Sequence, residues 1–152
     1  MKKWLFSNAR VDPVVSVGLL ILRVSIGAMM IVLHGWEKYQ TFADKKDSFP
    51  VPTTALLSSW MNSTSSLVCT IFAEVVCSAL IILGIATRPA AAVLVFTMTI
   101  AAFVVLGPQP MSLSNKELAL LYLIAYAVLL LTGAGAYSFD ARFSTVKKRM
   151  FS

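Results

Sequence analysis

Two ionisable residues stand where ions are expensive. Arg23 and Glu74 each interrupt an otherwise apolar run, Val14 to Leu33 and Leu67 to Leu83. Crossing a bilayer takes ~20 mostly apolar residues, with ~17 as a lower limit. Arg23 lies nine positions after Val14 and Glu74 seven after Leu67, which places both near mid-membrane. A lone charge at that depth costs ~2.5–3.5 kcal/mol on insertion scales. Opposite charges at one depth on adjacent antiparallel helices relieve that cost by pairing, so an Arg23–Glu74 ion pair facing the bundle interior is expected.

Other polar residues fall in phase with these two. His34 follows Arg23 by eleven positions and Ser16 precedes it by seven; both spacings return to within ~20° of one helix face. Gly27 lies between them. Thr70, Glu74, Cys77 and Ser78 share a face of the second run. Asn115, Ala119, Tyr122 and Tyr126 share one on the last, with Lys116 and Glu117 at its mouth. The pattern describes a polar intramembrane cavity, open outward and lined by Arg23, Gly27, His34, Thr70, Glu74, Glu117, Tyr122 and Tyr126. Such a cavity binds a ligand or relays protons. Arg23 would orient an anionic or carbonyl oxygen, or hold Glu74 ionised. Glu74 and His34 would carry protons, the imidazole changing charge near neutral pH. These three are the candidates for chemistry. Alternatively, the ion pair only fixes helix register.

Several chemistries lack their residues. One histidine with scattered acids gives no HxxH, CxxC or ExxH spacing, so no metal site is expected. No glycine-rich phosphate loop or serine-nucleophile elbow occurs. Cys69 and Cys77 are eight residues apart on one predicted helix, ~12 Å along its axis, too far for a disulfide within the chain.

The elements that must position these side chains follow from composition. The 152 residues fit one domain, 58% of them apolar and 13% charged, against roughly 25% charged in a soluble domain. Four runs are predicted to span, at 14–33, 67–83, 90–106 and 118–136. All must be helical, because lipid offers backbone groups no partners. The predicted fold is an all-α membrane protein, a four-helix transmembrane bundle over 14–136. Residues 1–13 form a cytoplasmic arm and 137–152 a basic cytoplasmic tail. A short interfacial helix is expected in the first outer loop, capped by Thr53 or Thr54, with Leu56, Leu57, Trp60 and Met61 on one face. A cleaved signal peptide is not expected, because Asp12 and Pro13 interrupt the approach and the apolar run is too long.

An even number of spans puts both ends on one side. That side receives Lys2, Lys3, Arg10, Arg88, Arg142, Lys147, Lys148 and Arg149; the other receives Lys38, Lys45, Lys46 and Lys116. The positive-inside rule then predicts cytoplasmic termini in the plasma membrane. The net charge of +6 is accounted for by topology and anionic lipid heads rather than by nucleic acid.

Several of these residues also recur as short motifs. Leu22-Arg23 is followed by Gly27, His34-Gly35 and Lys38. Glu74 is followed by Gly84 and Thr87-Arg88, then Asn115-Lys116-Glu117 with Leu121-Tyr122. Thr132-Gly133-Ala134-Gly135 precedes Tyr137-Ser138-Phe139-Asp140. In this order, over about residues 18–140, the chain resembles the DoxX family of small integral membrane proteins. One departure stands out: many relatives carry a histidine near the outer end of the third span, where this chain reads Phe103-Val104-Val105-Leu106-Gly107. The family is associated with thiosulfate:quinone oxidoreductase, and other members resemble membrane partners of thiol-redox and oxidative-stress systems. The resemblance therefore implies an integral membrane subunit of a quinone- or thiol-linked oxidoreductase system. With no redox centre of its own evident, its electrons would come from a bound quinone or a partner redox protein; a homo-oligomer is the other expected association. The alternative is a non-enzymatic membrane scaffold or assembly factor for a partner membrane protein, since a more distant set of relatives resembles assembly factors.

Overall fold

The structure, a computed structural model, describes residues 12–52, 59–105 and 113–142, without the side chains of 113–115. Helix α1, Pro13–Gln40, starts where the sequence provides for it. Pro13 takes the first helical position and the Asp12 carboxylate accepts from the Val14 N–H at 3.0 Å, a pairing suited to a helix start. A single short turn, α2 (Phe42–Lys45), follows. Helix α3, Ser63–Leu83, opens with a reciprocal cap between Asn62 and Ser65. Helices α4, Thr87–Val105, and α5, Leu113–Thr132, complete the series. No strand occurs among the described residues.

Helices α1, α3 and α4 are long and apolar enough to cross a membrane, and the 20-residue α5 packs along α4. Met30, Leu67, Ile81, Leu94, Tyr126 and Leu129 are fully buried where the helices meet. Ile21, Val32, Phe72, Phe96, Phe103, Ile124 and Leu131 stand exposed on the outer faces. A water-soluble fold rarely leaves so much contiguous apolar surface open; against lipid it costs nothing. In that solvent the helices hold together by close packing and polar contacts rather than by escape from water.

The predicted runs are helical over most of their length, and α1, α3 and α4 begin or end beyond them, whereas α5 stops at Thr132, short of the predicted end at 136. Helix α1 continues to Gln40, past the predicted end at Leu33. The interfacial helix expected after Thr53 falls mostly on residues 53–58, outside the described residues. So do most of the N-terminal arm and the basic tail, and the side chain of Asn115.

Close approaches fix the register of α1 against the antiparallel α3. A Cβ on Gly27 would come within 2.6 Å of Ile82 and 3.1 Å of the Ser78 carbonyl. One on Gly35 would come within 2.6 Å of Val75 and 3.4 Å of Glu74. Arg23 consequently lies beside Gly84, ten residues beyond Glu74 and hence ~15 Å further along α3.

At the Arg23 end, three separate parts of the chain are tied together. Both oxygens of Asp140 accept from the start of α4, at 2.8 Å from the Ala86 N–H and 2.9 Å from the Thr87 N–H. The Asp140 N–H donates to the Gly84 carbonyl at 2.9 Å. The Ala136 N–H donates to Ser16 Oγ at 3.3 Å, and Arg88 donates to the Leu131 carbonyl at 3.1 Å. Gly84 ends α3 at φ +69°, a conformation that a side chain disfavours.

Candidate functional site

The expected Arg23–Glu74 ion pair does not form. In a helix each Cα–Cβ bond tilts toward the N-terminus. On antiparallel helices Arg23 and Glu74 therefore lean apart, each toward the start of its own helix. Buried Arg23 donates instead to the Ala134 carbonyl at 3.1 Å and to the Tyr137 carbonyl. Its charge is held by backbone dipoles at one end of the helices, not by a carboxylate at mid-depth.

Glu74 is buried and pairs with Lys38, whose ammonium donates to both carboxylate oxygens at 2.9 and 2.8 Å. The sequence places Lys38 among the outer cations and in the motif after His34-Gly35, without pairing it to Glu74. Two signals could have found it. Gly35 lets α1 press against α3 at the level of Glu74, and a lysine one turn further on leans back toward that level with a flexible apolar stem.

Beside this pair a cavity of about 650 Å³ opens between α3 and α4. Its walls are mostly apolar, with Phe72, Val93, Phe96 and Val105 among them, and Phe49, Pro50, Pro52 and Met61 border it from the connecting segment. Ser66 holds that segment by donating to the Pro50 carbonyl at 2.9 Å. Thr70 also lines the cavity, its hydroxyl donating to the Ser66 carbonyl at 2.8 Å. Val68, Phe72 and Phe96 line the cavity and are exposed, so the opening lies on the apolar outer surface of the helices.

The backbone around this cavity is irregular in a consistent way. Helices α1, α3 and α4 each contain a π-helical segment, Ile31–Gly35, Phe72–Cys77 and Ala101–Val105. The second carries Phe72 and Glu74 and the third carries Ala101 and Val105, all lining residues. The first delivers Gly35 to Glu74. A π turn re-aims side chains by inserting a residue and is frequent at functional sites.

Inward from Glu74 runs a second polar feature. His34 meets Tyr122 edge-on at 5.6 Å between ring centroids, and Tyr122 stacks on Tyr126 at 6.1 Å. The hydroxyls of Tyr122, Tyr126 and Ser78 are buried without a hydrogen-bond partner among the described residues. Tyr126 lies next to Ser78, short of hydrogen-bond geometry, and both tyrosines are within electrostatic reach of Glu74. Orphaned hydroxyls each cost ~1–3 kcal/mol unless water satisfies them.

The single outward cavity read from the sequence thus separates into parts. Glu74 and Thr70 line the lateral cavity; His34, Tyr122 and Tyr126 form the column beside it. Gly27 serves a helix contact and Arg23 occupies the far end. Glu117 is exposed on α5 and does not line the cavity between α3 and α4. No cluster of histidine, cysteine or acidic side chains able to hold a metal occurs among the described residues.

Comparison with known proteins finds a family model that matches the chain. The DoxX family model matches residues 18–107, which include Arg23, Gly35, Lys38, Glu74, Gly84 and all three π segments. No curated protein and no solved structure matches the chain. With apolar helices built to cross a membrane and a family match over more than half its length, the chain belongs to the DoxX family.

Proposed function

We propose that the chain is a membrane subunit that holds a quinone-class ligand in the cavity between α3 and α4, with Lys38 and Glu74 at the polar end. The observation that carries this is the placement of a bidentate, largely buried ion pair on the wall of an otherwise apolar cavity that opens on the apolar outer surface. A ligand suited to such a space has a long apolar tail and a compact polar head. The volume lies within the usual range for small-molecule sites, ~300–1,000 Å³.

The residues present fit that head group. An ammonium has three donors; two go to Glu74, and the third is available to a carbonyl oxygen. Glu74 can accept from a hydroxyl at the same place. A bound quinone would supply an electron-accepting ring, whose reduction to the quinol requires two electrons and two protons. The electrons would come from a partner redox protein. Proton supply would run through Glu74 and the orphaned hydroxyls of Tyr122, Tyr126 and Ser78, linked by water.

In this scheme the chain crosses the plasma membrane four times, with α5 as the fourth span and both termini cytoplasmic. The eight-to-four division of cations favours that orientation. The meeting of the α1 start, the α3–α4 turn and the stretch after α5 at one end agrees with it.

The test is a titration of the full chain in nanodiscs with a decyl-substituted benzoquinone, followed by tryptophan fluorescence. Saturable binding is expected, weakened at least tenfold by Lys38→Met and by Glu74→Gln. Partitioning that never saturates, or saturable binding indifferent to both substitutions, would remove the quinone site. Wild-type protein that fails to bind, with a Glu74→Gln variant that disappears from the membrane, would instead support the scaffold alternative.

A further inference from the structure

The opposite end of the molecule carries a second cavity, of about 500 Å³, where α1, the end of α3 and the stretch after α5 meet. Two arginines line it. Arg23 is only 2% exposed. Two of its N–H groups are used on the Ala134 and Tyr137 carbonyls, while Nε is buried and has no hydrogen-bond partner among the described residues. Arg142 lines the same cavity and is exposed. The acid that acts on Arg23 is Asp140, and both its oxygens are already engaged by the Ala86 and Thr87 N–H groups. Among the described residues around the cavity, the balance is two cations against one occupied carboxylate, with an unsatisfied guanidinium donor left over.

The rim has a different character. Leu83, Tyr137 and Phe139 line the cavity and are exposed. Aromatic residues beside arginines at a helix end are characteristic of the membrane–water boundary. The cavity thus joins an anion-seeking interior to an apolar edge.

From this juxtaposition we infer that the cavity between Arg23 and Arg142 binds a phosphate ester, either a phospholipid head group or a soluble phosphate compound. A phosphate oxygen satisfies the Arg23 Nε–H, and guanidinium groups match phosphate geometry well. In the lipid case the acyl chains lie over Leu83 and Phe139. This site is independent of the quinone proposal: it uses different residues at the other end of the helices.

The full chain is reconstituted in nanodiscs of phosphatidylcholine with or without phosphatidylglycerol, and the lipid retained after detergent extraction is counted by native mass spectrometry. In parallel, inorganic phosphate is titrated against the protein in neutral detergent, with thermal unfolding as the readout. Arg23→Gln alone is ambiguous, because it also removes the ties to Ala134 and Tyr137. Arg142→Gln leaves those ties intact and is the decisive variant. A Lys147→Gln/Lys148→Gln protein controls for diffuse surface charge. Preferential retention of phosphatidylglycerol, reduced at least fivefold by Arg142→Gln and not by the control, establishes the lipid source. Stabilisation by inorganic phosphate with the same pattern establishes a soluble source. Retention equal for both lipids with no phosphate effect overturns the site. Equal loss in Arg142→Gln and in the control overturns it as well.

Discussion

At the scale of single residues, the pairing of Lys38 with Glu74 decides how the charge buried in this protein is tolerated. The Glu74 side chain is 5% exposed and that of Lys38 20%, so the carboxylate depends on its partner while lysine retains some access to solvent. Removing one partner of a buried pair costs ~3–5 kcal/mol, whereas replacing both with apolar groups is often nearly neutral. Lys38→Met is therefore expected to lower stability in detergent by about 3 kcal/mol, and Lys38→Met/Glu74→Met to recover most of that loss. Thermal unfolding of the wild type, the two single variants and the double variant measures this directly. A double variant as unstable as the sum of the singles would show that the two residues do not depend on each other. Arg23 behaves differently. Its partners are carbonyl groups, which no compensating apolar substitution can replace, so Arg23→Met combined with Glu74→Met should show no recovery.

At the scale of elements, the turn between α3 and α4 is held by residues distant in sequence. Gly84 combines a positive φ with a site where a Cβ would run into the Arg23 guanidinium and Ser138. Backbone strain of that kind costs ~1–3 kcal/mol, so Gly84→Ala should lower the unfolding midpoint and loosen the Arg23 contacts together. Asp140→Ala leaves the Ala86 and Thr87 N–H groups without their carboxylate and is expected to cost ~1–2 kcal/mol, as loss of a helix cap does. Hydrogen exchange at the first turn of α4 should rise in both variants; unchanged protection there would contradict the assignment of Asp140 as the cap. This corner also shows what could be read in advance. Gly84, Thr87-Arg88 and the Gly133 to Asp140 stretch were visible as motifs, and the four apolar runs as helices, because residue type and length carry those signals. The contacts among the motifs were not visible, because they join positions more than 50 residues apart. The three π segments were hidden too: they are set by backbone hydrogen bonding under packing, and nothing in Ile31–Gly35 or Phe72–Cys77 distinguishes them from ordinary helix. The misplaced Arg23–Glu74 pair has a different origin. Depth was counted from the centre of each apolar run, but α1 continues to Gln40, which moves Arg23 toward one end.

At the scale of the whole molecule, charge and geometry bear jointly on orientation. Asp12, the α3–α4 turn and the residues after Thr132 gather at one end, through Ser16 with Ala136 and Asp140 with Ala86. The Lys38–Glu74 pair and the segment around Pro50 gather at the other, through Ser66. The cation excess lies with the first end, since Arg10, Arg88, Arg142 and the Lys147-Lys148-Arg149 cluster all belong to it in sequence. Cations near short loops resist translocation, so that end should stay in the cytoplasm and the 41–62 connection should face outward. Single cysteines at Ser7, Ser48 and Ser144, introduced after Cys69→Ala and Cys77→Ala, report the arrangement through a membrane-impermeant maleimide. Ser48 lies in the exposed part of the 41–62 connection and should label in intact cells. Ser7 and Ser144 should label only in inverted vesicles. Labelling of Ser7 and Ser144 from opposite sides would mean an odd number of crossings, and α5 would then be a helix packed beside the membrane domain without traversing it. Labelling of all three from the reverse side would leave the helix packing intact but put the Lys38–Glu74 cavity near the cytoplasmic surface, where a proton taken up by Glu74 would come from inside the cell.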